Sequence, residues 1–223
     1  VDKMPDLATA GPNQTLCIST PSTILAANNL TVGIGIWSLV SGGGTITNSL
    51  SPVSTVTALA SGTNILSWTM SNGSCASNSA SVAIQVDNGA GIANAGANQT
   101  ICISTGSTTV TGNVPSPGTG VWSLFSGTAS IVSPSTPTTQ ITGLTVGTHI
   151  LKWTLANGTC SSSATMSITV DDVPGAANAG SNQTLCIDSP GTTLAAITPS
   201  FGTATWSVIS GGGILSNSTS ATS

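Results

Sequence analysis

The chain has 223 residues, of which only 4% are charged, against roughly 25% in ordinary soluble proteins, and it contains no Arg, Glu or Tyr. Two lysines, Lys3 and Lys152, cannot form the basic stripe that nucleic acid or an anionic membrane surface requires, and a formal charge of −4 is too small for a solvating acidic chain. Hydrophobic residues make up 39% of the chain and are dispersed in short alternating groups, which argues against both disorder and membrane insertion.

In chain order, the pattern predicts short strands over 15–18, 23–27, 35–40, 54–59, 64–70 and 79–86. Ser41-Gly42-Gly43-Gly44 ends the third of these; it lacks the Lys and the following helix of a phosphate-binding loop and reads as a turn. Asn72-Gly73 suits the positive φ angles of a tight hairpin turn between the last two strands. Alternation places Leu66, Trp68 and Met70 on one face, and Ala80, Val82, Ile84 and Val86 on one face of the next strand. The density of Pro, Gly and β-branched residues argues against long helices.

The same order then repeats. Asn13-Gln14-Thr15-Leu16-Cys17 returns as Asn98-Gln99-Thr100-Ile101-Cys102 and as Asn182-Gln183-Thr184-Leu185-Cys186, at offsets of 85 and 84 residues. Trp37 matches Trp122 and Trp206; Trp68 matches Trp153; Asn72-Gly73-Ser74-Cys75 matches Asn157-Gly158-Thr159-Cys160. In the second copy Leu151, Trp153 and Leu155 share a face, with Lys152 opposite. The expected division is 1–4, the tail of a preceding repeat; 5–87, repeat 1; 88–172, repeat 2; and 173–223, the N-terminal part of repeat 3. Both cuts fall inside the pattern, as in a segment of a longer array; the rival is a subunit whose half-repeat is completed by strand addition from a neighbour. About seven strands per 85 residues fit an all-β, tandem immunoglobulin-like sandwich, with Trp37, Trp68, Trp122, Trp153 and Trp206 as core residues.

Each full repeat has two cysteines 58 residues apart, and no close Cys pair of the kind that zinc sites use is present. The expected disulfides lie within a repeat, Cys17 to Cys75 and Cys102 to Cys160, which implies an oxidising, extracellular or cell-surface setting and leaves Cys186 without a partner. Catalytic candidates are scarce. His149, the only histidine, stands where repeat 1 has Asn64, so the repeat does not require it, and no Ser-His-Asp set is supported. Asp2, Asp87 and Asp171 recur at the repeat ends and raise calcium, but one or two carboxylates per junction fall short of a calcium shell; a strand-end Asp bonding to its own backbone is simpler. No enzyme activity, cofactor or metal is expected. The sequons at Asn13, Asn29, Asn72, Asn98, Asn157, Asn182 and Asn217 read first as hydrogen-bonding strand and turn residues, with glycosylation as the other reading.

The motifs Ala93-Asn94-Ala95-Gly96 to Asn98-Gln99-Thr100-Ile101-Cys102, then Gly120-Val121-Trp122-Ser123, then Leu151-Lys152-Trp153-Thr154 to Asn157-Gly158-Thr159-Cys160, resemble the PKD-like or Ig-like repeats of large secreted Bacteroidota proteins, some of them the mobile adhesins of gliding bacteria. The resemblance implies a structural segment of a cell-surface adhesin, stalk or filament. The expected partners are neighbouring repeats and copies of itself in a fibre, for which a nearly uncharged Ser/Thr-rich surface sets little electrostatic penalty. The alternative is a carbohydrate-binding array with surface glycans as ligands and the indoles as exposed platforms.

Overall fold

The computed structural model describes residues 2–223. The alternating strands of the first repeat fold into two sheets. One contains β1 (Gln14–Cys17), β3 (Ile34–Ser41), β6 (Gly62–Ser71) and β7 (Asn78–Asp87) in the order β1-β7-β6-β3. The other contains β2 (Thr23–Ile24), β4 (Thr45–Ile46) and β5 (Thr55–Thr57) in the order β2-β5-β4. The second repeat rebuilds both. β8 (Gln99–Cys102), β10 (Thr119–Ser126), β13 (Gly147–Asn157) and β14 (Cys160–Asp171) form a sheet ordered β10-β13-β14-β8. β9 (Ser107–Thr111), β11 (Ser130–Ile131) and β12 (Thr138–Thr142) form one ordered β11-β12-β9, and the only helical piece among the described residues is a 3-10 turn at Ile103–Thr105. The two-residue β4 was missed in the sequence because so short a strand carries no period to read.

Each core lies between a four-stranded and a three-stranded sheet. In repeat 1, Leu25 and Val56 of the smaller sheet side meet Trp37, Leu66, Trp68, Met70, Val82 and Ile84 of the larger one. In repeat 2, Val110 and Ile141 meet Trp122, Leu151, Trp153, Leu155, Met166 and Ile168. The tryptophans face each other across adjacent antiparallel strands, Trp37 opposite Trp68 and Trp122 opposite Trp153. Their ring centroids are 5.3 and 5.0 Å apart, tilted by 47° and 40°. Such aromatic pairs contribute about 0.5–1.5 kcal/mol beyond the area they bury. All four are at most 2% exposed. Glycine makes room for them: a Cβ on Gly35 would stand 2.1 Å from Trp68 Cζ2, and one on Gly120 2.3 Å from Trp153 Cζ2. The chain is therefore a tandem array of immunoglobulin-like β-sandwich repeats.

Residues 173–223 differ. They contain no named strand, only an isolated bridge from Ala195 to Thr222. Local bonds of the repeat persist all the same. Trp206 donates its indole N–H to Ser220 O, and its backbone N–H to Ser218 O, as Trp122 does to Pro137 O and Pro134 O. Trp206 itself is half-buried and not a closed core residue. Among the described residues no strand equivalent to β6 or β13 lies against it. In its place runs an open apolar groove of about 470 Å³ lined by Ala177, Ala179, Ala196, Ala204 and Trp206. The equivalent positions in repeat 2 are Ala93, Ala95, Gly112, Gly120 and Trp122, where Trp153 fills the space.

Candidate functional site at the junction between repeats

The Asn-Gln-Thr motif that heads each repeat is a fastener between elements. Asn13 Oδ1 accepts from Ala83 N–H on β7 at 2.9 Å, and Asn98 Oδ1 accepts from Ser167 N–H on β14 at 2.9 Å. Gln14 and Gln99 then cross to the smaller sheet, donating from Nε2 to Ile24 O at 3.2 Å and Thr109 O at 2.9 Å. Gln183 repeats the bond with Thr193 O at 3.0 Å. The result holds β1 parallel to β7 and β8 parallel to β14, with Cys17 level with Asp87 and Cys102 level with Asp171. The first cysteine of a repeat thus sits at the end where the chain leaves that repeat.

The second cysteine sits at the opposite end, in or beside the Asn-Gly hairpin turn. From Asn78 to Asp87 a strand rises about 30 Å, and from Cys160 to Asp171 about 35 Å. A disulfide requires Cα atoms within about 7 Å. The expected pairs Cys17–Cys75 and Cys102–Cys160 are therefore corrected: Cys17 is bonded to Cys160 of the next repeat, with Cα atoms 4.9 Å apart and a sequence separation of 143. Cys75, Cys102 and Cys186 are free in this chain. Equal spacing in the two repeats fits a bond within a repeat and a bond to the next repeat equally well, so the sequence could not discriminate.

Asp87 organises the same junction. Its backbone carbonyl accepts from Ile18 N–H at 2.9 Å in repeat 1 and lies 3.2 Å from Cys160 Sγ in repeat 2. Its carboxylate accepts from Thr159 N–H at 2.9 Å and Thr159 Oγ1 at 3.1 Å, capping the hairpin turn of repeat 2. Asn157 Nδ2 donates to Asn88 O at 2.8 Å in the linker. Gly158 is required here twice over: φ is +56°, and a Cβ would stand 2.1 Å from Asp87 Oδ2. A strand-end Asp was expected to bond its own backbone; the Asp87 carboxylate bonds Thr159 of the following repeat instead.

The preceding junction has the same half. Ser74 N–H donates to Asp2 Oδ2 at 3.1 Å, Asn72 Nδ2 to Lys3 O at 2.7 Å, and the Cys75 thiol to Asp2 O at 3.4 Å. Asp2 therefore meets repeat 1 as Asp87 meets repeat 2. Among the described residues no group of three His, Cys, Asp or Glu side chains is arranged to hold a metal ion, and no helix is long and apolar enough to cross a membrane.

His149 does the work of Asn64. In repeat 1, Asn64 Oδ1 accepts from Gly43 N–H at 2.8 Å and Nδ2 donates to Ala60 O at 2.8 Å. In repeat 2, His149 Nδ1 accepts from Thr128 N–H at 3.0 Å and Nε2 faces Thr145 O at 2.7 Å, where it acts as the donor. Both side chains are buried, 0% and 2% exposed, and both nitrogens of the imidazole are occupied in holding a loop.

No family model matches the chain, and no curated protein matches it. Solved structures do. Extracellular domains 3–5 of Drosophila OTK superpose with a TM-score of 0.51 at 13% identity, over 75% of this chain and 60% of that one. A three-Ig fragment of titin gives 0.42 at 14% identity, over 78% and 68%. The PKD domain of the KIAA 1837 protein gives 0.34 at 28% identity, over 38% of this chain and 88% of that domain. The likeness to OTK shows the fold, a series of immunoglobulin-like domains.

Proposed function

We propose that the chain is a structural repeat segment of an extracellular adhesin, stalk or filament, whose activity is to set length and bear load. The observation that carries this reading is the Cys17–Cys160 bond at the Asp87 junction, which ties successive repeats to one another. The bond also favours an oxidising compartment outside the cytosol. The repeats take the bounds 5–87 and 88–172, with 1–4 and 173–223 belonging to their neighbours in the array. The resemblance of the repeat motifs to those of Bacteroidota surface adhesins supports this reading. Its partners are adjoining repeats and further copies of itself.

Small-angle scattering combined with indole quenching tests the reading. The expected result is an elongated particle in which iodide reaches Trp206 and spares Trp37, Trp68, Trp122 and Trp153. A compact particle, or sugars that protect all five indoles from quenching, overturns it in favour of carbohydrate binding.

A further inference from the structure

The bonded pair divides the cysteines into two kinds. Cys17 and Cys102 end the first strand of a repeat, level with the departing aspartate, Asp87 or Asp171. Cys160 and Cys75 follow the Asn-Gly turn and touch the arriving aspartate, Asp87 or Asp2. One of each kind forms the bond at the Asp87 junction. At the Asp2 junction only the arriving kind, Cys75, is present, already seated against Asp2 O. At the Asp171 junction only the departing kind, Cys102, is present. Neither can reach its own repeat's other cysteine, across 30 Å or more of strand. Cys75 is half-buried where its bonded counterpart Cys160 is 2% exposed, and Cys102 is half-buried as its bonded counterpart Cys17 is.

We propose that Cys75 and Cys102 are the open halves of further junction disulfides. Cys75 takes the departing cysteine of another repeat of this kind, and Cys102 takes the arriving cysteine of another, so that the bonds form a ladder running from repeat to repeat. The proposal rests on the array reading above and deepens it.

The chemistry requires an oxidant, here a protein or small-molecule disulfide of the exporting compartment. One thiolate attacks a sulfur of that disulfide and releases a thiolate. The second cysteine thiolate attacks the mixed disulfide at the repeat's own sulfur and releases the other. Two thiol protons and two electrons leave with the oxidant, whose two sulfurs depart as thiols. The Ser104 hydroxyl, 3.1 Å from Cys102 Sγ, holds that thiol below its ordinary pKa, with Asp171 and Asp172 opposing, and so enlarges the thiolate fraction that reacts.

A ladder changes how the array carries force. The shortest covalent route from one bond to the next but one runs along the 27 residues from Cys75 to Cys102. That route spans at most about 95 Å fully extended. Two repeats contain about 60 Å of strand along the same direction. Complete unfolding would thus lengthen such a fibre by less than twofold, where an unbridged array would lengthen several-fold.

Disulfide mapping of the protein isolated from its source, with thiols alkylated at lysis, tests the ladder. The expected result is no alkylation at Cys75 or Cys102. The Cys75 peptide is linked to one of Asn-Gln-Thr-x-Cys type and the Cys102 peptide to one of Asn-Gly-x-Cys type. Co-assembly of isotopically heavy and light protein separates the sources: mixed-label links place the partner repeat on a second copy, single-label links place it on the same chain. Alkylated Cys75 or Cys102, a Cys17–Cys75 or Cys102–Cys160 link, or a link to a cysteine outside the repeat overturns the proposal. Alkylation with the particle still elongated sinks the ladder alone; a compact particle sinks the array.

Discussion

Single residues show how two copies of one fold satisfy the same demand with different chemistry. His149 and Asn64 each accept from one loop N–H and donate to one loop carbonyl. His149→Asn should therefore leave the thermal stability of repeat 2 within about 1 kcal/mol of the parent. His149→Leu, which removes the partners of the Thr128 N–H and the Thr145 carbonyl, should cost about 1–2 kcal/mol in denaturant unfolding, at about 1 kcal/mol per lost bond. Ala58 holds φ +52°, the left-handed region, where the equivalent Gly143 holds +65°. Ala58→Gly should stabilise repeat 1 by about 1 kcal/mol, measured by the shift in its denaturation midpoint. Asp6 accepts from the Thr31 hydroxyl and, at 3.0 Å, from Thr31 N–H, and these bonds pull its pKa below the ordinary 3.8. A depressed carboxylate stabilises the fold above its ordinary pKa, and that contribution is lost as pH falls through the folded value. In melts across this acid range, the gap between the parent and Asp6→Asn should be constant above 3.8 and close below it.

At the scale of elements, the parallel pairing of β1 with β7 and of β8 with β14 decides the junction. It carries the first cysteine to the exit of each repeat, while the antiparallel hairpin β13–β14 carries the second to the entrance. The Asp87 carboxylate then locks the hairpin turn of repeat 2 onto the end of β7. Asp87→Ala removes two accepted hydrogen bonds worth about 1 kcal/mol each. Amide exchange at Thr159 should accelerate roughly tenfold or more in that variant, while exchange at the core amides of β13 stays unchanged.

For the whole molecule, the Cys17–Cys160 bond closes a loop over a sequence separation of 143. Pulled from its ends, the oxidised chain should release none of that enclosed length. Reduction should add up to about 500 Å of contour in single-molecule extension, because each residue spans at most about 3.5 Å. Much of this was legible in the sequence. Alternation in 64–70 and 79–86 defined two faces, Asn72-Gly73 marked the turn, and the recurrence of Cys17, Trp37, Trp68 and Cys75 at Cys102, Trp122, Trp153 and Cys160 marked the copies. Those are local or periodic properties, set by pleat geometry and turn sterics. What only the tertiary structure decided was direction: whether the first strand runs with or against the last, and so which end of the sandwich each cysteine occupies. Spacing along a chain is blind to that choice, because strand pairing is made by hydrogen bonds between residues that are remote in sequence.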